Sequence, residues 1–76
     1  MENNEAVENF ITMWTYALQN KKGFKGLIDY NVIVDNSNTE IKASDFDIDY
    51  EKSLVYLFYK GIGIAMINLN SIKYIY

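Results

Sequence analysis
The sequence predicts a single α+β domain over residues 1–76: an N-terminal amphipathic helix packed on a four- to five-stranded antiparallel sheet, either open or strongly bent and barrel-like. Three observations point there. Apolar residues near the N-terminus recur at spacings of three and four, as on one face of a helix. After Gly23 the period falls to two, and β-branched and aromatic residues take over. Short breaks rich in Asn, Ser and Gly divide that second part, with no Pro, low-complexity linker or long repeat to separate a further domain.

The helix is expected from Asn4 to Asn20, with Val7, Phe10, Ile11, Trp14, Ala17 and Leu18 forming its apolar stripe and Met13 and Tyr16 flanking it. Asn3 or Asn4 caps its start, Glu5 and Glu8 suit the positive end of the dipole, and Lys21 and Lys22 precede the stop at Gly23. A first strand of about ten residues follows, with Ile28, Tyr30, Val32 and Val34 inward. The Asn36-Ser37-Asn38 cluster turns the chain. The next run begins with Ile41 and Ala43 inward and then changes phase to Phe46, Ile48 and Tyr50. That slip at Ser44 and Asp45 predicts a bulge or break, because side chains alternate strictly along a strand.

Beyond the turn Glu51-Lys52-Ser53, the run Leu54-Val55-Tyr56-Leu57-Phe58-Tyr59 is apolar on both faces and reads as a central strand covered on both sides. Lys60-Gly61 is a further turn. A strand from Ile62 to Leu69 contains Gly63, expected to permit a bend or a close backbone approach. Asn70-Ser71 precedes the last strand, Ile72 to Tyr76.

A chain of 76 residues buries only about 60% of its unfolded surface. Half of these residues are apolar and 16% aromatic, so some apolar surface is expected to meet a partner. The absence of Cys gives no support to an oxidising compartment. The N-terminus lacks the basic-then-apolar pattern of a secretory signal, and no apolar run approaches the ~20 residues of a membrane span. A soluble cytoplasmic protein without membrane contact is the expectation. Seven Lys and no Arg against ten acidic residues give a net charge of −3, which argues against direct nucleic-acid binding.

Without His or Cys the chain lacks the commonest general base, thiol nucleophile and transition-metal ligands, so no enzyme activity, metal or cofactor is expected. Gly61-Ile62-Gly63 opens a strand rather than a helix and is no phosphate loop. Read as a calcium loop, Asp45-Phe46-Asp47-Ile48-Asp49-Tyr50-Glu51 has Tyr50 where Gly belongs and Tyr56 where the closing acid belongs. As a strand, however, it sets Asp45, Asp47 and Asp49, with Glu51, about 6.6 Å apart in a line of negative charge that imitates the phosphates of one nucleic-acid strand. Such a stripe suits the basic groove of a nucleic-acid-binding protein. The bland counterpart is a solvated outer face, or acids that protect a sheet edge. Among the seven Tyr, which are common interface anchors, Tyr16, Tyr59 and Tyr76 are the preferred exposed candidates. Tyr56, Tyr59, Tyr74 and Tyr76 are expected on neighbouring strands.

Two resemblances accompany this reading. From Thr39 to Ile75, the bent strand, the hairpin Asp49-Tyr50-Glu51-Lys52-Ser53, the turn Lys60-Gly61 and the closing Ile67-Asn68-Leu69-Asn70-Ser71-Ile72-Lys73-Tyr74-Ile75 resemble the strand order of Sm-like small barrels. That resemblance implies a structural, homo-oligomeric scaffold; the basic RNA-binding signature of the family is missing. In size, acidity, lack of Arg, His and Cys, and richness in Lys, Ile, Asn and Tyr, the chain is similar to small bacteriophage and mobile-element inhibitors, including anti-CRISPR and anti-restriction proteins. This second likeness implies a protein partner in a bacterial cytoplasm, such as a CRISPR effector or another defence nuclease, and carries over no residue.

Overall fold
The structure, a computed structural model, describes residues 4–21, 26, 28–35 and 39–76. One helix, α1 (Glu5–Gln19), packs on two three-stranded antiparallel sheets. The first sheet has the order β2 (Thr39–Ala43), β1 (Tyr30–Val34), β6 (Ile72–Ile75), and the second β3 (Asp45–Asp49), β4 (Leu54–Tyr59), β5 (Ile62–Asn68). Among the described residues no ladder joins the sheets, and they do not close into a barrel. The chain passes between them twice, at Ser44 from β2 to β3 and through the 3-10 turn Leu69–Ser71 from β5 to β6. The single bent run expected across Ser44 is thus two strands in two sheets.

The helix begins where Asn4 accepts a hydrogen bond from the Val7 amide at 3.3 Å, with Glu5 and Glu8 in its first turn. Asn20 ends it; Asn3, Lys22 and Gly23, like the Asn36-Ser37-Asn38 turn, lie outside the described residues. Val7, Phe10, Trp14 and Ala17 are buried, while Ile11 and Leu18 remain 41% exposed. The stripe is therefore narrower than expected. The helix lies against β6, the 3-10 turn and β1, a seam that its flanks overhang.

Strand β1 is half the expected length. Tyr30, Val32 and Ile33 are buried, and its register against β6 slips between Ile33 and Val34, which breaks the alternation. Tyr50 is exposed rather than inward because β3 ends at Asp49, whose carboxylate accepts from the Lys52 amide at 3.2 Å and opens the hairpin loop before Tyr50. In β4, Val55 and Leu57 are fully buried, yet Leu54, Tyr56 and Phe58 on the other face are only half-buried. The expected double cover is absent, since the one described helix covers the inner side. Leu69 is buried in the 3-10 turn rather than in β5.

Gly63 stands beside a bend, as expected, but not at a close backbone approach, since its nearest neighbours are side-chain atoms at ordinary contact distance. The β4–β5 register shifts between Leu57 and Phe58, leaving Ile64 as the extra residue, and the Phe58 ring lies 3.6 Å from where a Gly63 Cβ would stand. Lys60 (φ 53°) and Gly61 (φ 82°) form the two-residue connection between Tyr59 and Ile62, the left-handed pair that matches the twist of a tight hairpin.

Two substitutions separate backbone conformation from side-chain bonding at these corners. A Cβ at Gly61 meets nothing within 4 Å, so Gly61→Ala is expected to cost only its left-handed conformation, about 1–2 kcal/mol in urea unfolding. The Ser44 hydroxyl accepts from the Lys60 amide at 3.0 Å and contacts the Phe58 carbonyl at 3.4 Å, clamping the inter-sheet corner to the β4–β5 hairpin. Ser44→Ala is expected to destabilise by about 1 kcal/mol with an unchanged denaturant slope.

Candidate functional face
Because cross-strand partners share a face, the outer side of the β3–β4–β5 sheet can be read row by row. Asp49 lies beside Leu54 and then Asn68; Asp47 beside Tyr56 and then Met66; Asp45 beside Phe58 and then Gly63. The result is an acidic column along one edge, an apolar column in the middle and an uncharged column at the other edge. Phe46 and Ile48 point the opposite way and pack on the core.

Asp45 and Asp47 are exposed, and Asp49 is half-buried. Alternate residues of a strand such as β3 stand ~6.6 Å apart. Two of these carboxylates also work locally: Asp45 accepts from the Phe46 amide at 2.8 Å, and Asp49 caps the hairpin loop. Glu51 stands in that loop, beyond the column. Asp45 and Asp47 border an open depression of about 600 Å3, also lined by Phe58 and Lys60. Among the described residues, no group of three or more His, Cys, Asp or Glu is placed to hold a metal.

The tyrosines chosen from sequence do not join this face. Tyr16 is exposed on the helix. Tyr59 ends β4 on the opposite side of the strand from Tyr56, with the Lys60 ammonium 5.4 Å from its ring. Tyr76 follows β6 in the other sheet, where its backbone exchanges two hydrogen bonds with Asn31 and its ring stacks on Tyr74 at 5.7 Å. The expected neighbourhood of Tyr56, Tyr59, Tyr74 and Tyr76 is therefore split between two sheets. Tyr56, Phe58 and Met66, which stand on this candidate face, are not among the site residues expected from the sequence. The run Leu54–Tyr59 marks the first two only as apolar, since it fits a strand covered on both faces as well as one left open.

Comparison of the chain with protein-family models, curated proteins and solved structures returned no match. No helix among the described residues is long and apolar enough to cross a membrane.

Two tyrosine hydroxyls have raised pKa values. Burial raises that of Tyr30; the Trp14 indole N–H opposes the shift and the Asp45 charge reinforces it. Tyr76 is raised first by donating to Glu40 Oε2 at 2.7 Å, a bond lost on ionisation, and then by slight burial and the Glu40 charge. For such a raised acid the stabilisation is intact below the ordinary tyrosine pKa of about 10 and disappears as pH rises through the folded-state value. In an ultraviolet titration of tyrosinate, Glu40→Gln is expected to lower the Tyr76 transition. An unchanged curve would show that the bond does not persist in solution.

Proposed function
We propose that this protein is a non-enzymatic binding module whose outer β3–β4–β5 face docks on a basic protein surface. The observation that carries the reading is the arrangement of one acidic column, Asp45, Asp47 and Asp49, beside an uncovered apolar column, Leu54, Tyr56 and Phe58. The acids supply long-range attraction and orientation, while aromatic side chains with little rotamer entropy supply contact area. Phosphate-like spacing along β3 favours a partner whose basic groove ordinarily holds nucleic acid. The concrete form of the proposal is an inhibitor of the anti-CRISPR or anti-restriction type, acting on a CRISPR effector or another bacterial defence nuclease. An Sm-like oligomeric scaffold is the second reading, favoured by the chain's two direct passages between sheets. It gives no role to the acidic column.

The test uses the tagged protein against a panel of purified CRISPR effectors and restriction nucleases, with binding and cleavage measured at rising salt. A one-to-one complex that weakens in salt and suppresses cleavage is expected. Replacing Asp45, Asp47 and Asp49 with Asn keeps the side-chain oxygens that accept from Phe46 and Lys52 and removes only charge. The triple variant should lose at least about tenfold in affinity, flatten the salt dependence and melt like the parent. If affinity is unchanged, the acidic column is a solvated face and the proposal fails.

A further inference from the structure
Strand β5 is bonded on one side only. Among the described residues its ladder is with β4, and no other backbone hydrogen bond reaches it, so a second row of N–H and C=O groups faces outward. An open edge of this kind templates another strand unless charge, Pro or brevity blunts it. The strand is seven residues long, and Ile62-Gly63-Ile64-Ala65-Met66-Ile67-Asn68 contains no charge and no Pro. Ile62, Ile64 and Met66 are 67%, 44% and 62% exposed. Its one blunting feature, the bulge at Ile64, leaves Ala65 to Asn68 in regular register. The opposite edge of the same sheet, β3, is lined by Asp45, Asp47 and Asp49.

We propose that two copies of this chain pair through β5, antiparallel about a twofold axis near Ala65 and Met66, to form one continuous six-stranded sheet. Charge selects the occupant. At −3 the chain repels its own copies wherever acids meet, and β5 is the edge of its sheet that brings none. Antiparallel apposition also sets the Lys60 end of each strand beside the Ser71 end of the other. There Asp35, whose amide donates to the Ser71 carbonyl at 2.7 Å, carries the opposite sign. The pairing is isologous and consumes the same edge of both copies. The edges left over in the joined sheet are the two β3 strands, where another copy would set Asp against Asp, and the edge strands of the other sheet, β2 and β6, carry the charged side chains Glu40, Lys42 and Lys73 that blunt an edge, so charge opposes growth beyond two. Five strand spacings of ~4.8 Å place the two acidic columns about 24 Å apart at opposite margins of the joined sheet.

Sedimentation equilibrium of the full chain over a wide concentration range, at low and high salt, tests this independently of any partner. A monomer–dimer equilibrium that survives salt, without larger species, is expected. Met66→Lys alters an exposed side chain, so the dilute monomer should melt as before, while dimer dissociation rises at least about tenfold from lost burial and opposed lysines. Tyr74→Lys, at an exposed position of β6, should leave the equilibrium unchanged. A monomer at every concentration would leave β5 to a strand of some other protein and overturn the proposal. A dimer indifferent to Met66→Lys, a dimer broken by Tyr74→Lys, or open-ended assembly would overturn it equally.

Discussion
Everything in this fold depends on four aromatic rings. Among the described residues the two sheets share no ladder, so side-chain contact and the two chain corners must hold them in register. Trp14 stacks on Tyr30 of the first sheet at 3.9 Å and meets Phe46 of the second edge-on at 4.6 Å. Phe10, one helical turn earlier, meets the same Phe46 ring edge-on at 4.8 Å. One face of α1 thus grips both sheets, by a ring stack on the first and by edge-to-face contacts, which ring quadrupoles favour, on the second. In so small a domain, where each such side chain removes roughly 150–250 Å2 from water, this cluster is a large part of the available core.

A single helix has a single covering face. Having closed the inner side, α1 leaves nothing for the outer side of the β3–β4–β5 sheet, and the composition did not compensate with polar residues there. Leu54, Tyr56 and Phe58 stay half-exposed, bordered by carboxylates on β3 and by uncharged side chains on β5. The sheet's two margins therefore differ in kind. One repels strand addition through charge; the other has no such defence.

The parts of this architecture that local pattern dictates were legible in the sequence. The helix period, the Asn4 cap, the phase slip at Ser44 and the Lys60-Gly61 hairpin all arise within a few residues, and each stands where its chemistry placed it. What escaped depends on distant neighbours. The exposure of Ile11 and Leu18 is set by how the helix sits on the sheets, which its own period does not encode. Tyr50 continued an inward alternation that Asp49 cut short by capping a turn. The acidic column was legible because strand alternation alone creates it. Tyr56 and Phe58 were not, because the same apolar run fits a buried strand and an uncovered one. Tyr76 could not be linked to Glu40 without the pairing of β1 with both β2 and β6.

That last arrangement bears on how the chain reaches its native state. The β3–β4–β5 meander is made of adjacent segments joined by tight turns, and the β1–β2 ladder is comparably local. The β1–β6 ladder, by contrast, pairs Val32 with Ile75 across the whole intervening meander. Loop closure of that length is entropically unfavourable until the segment between is already compact. Ser44 and the 3-10 turn then act as the two hinges that bring β1 and β6 within reach, so topology favours local hairpins first and closure of the chain's far ends last.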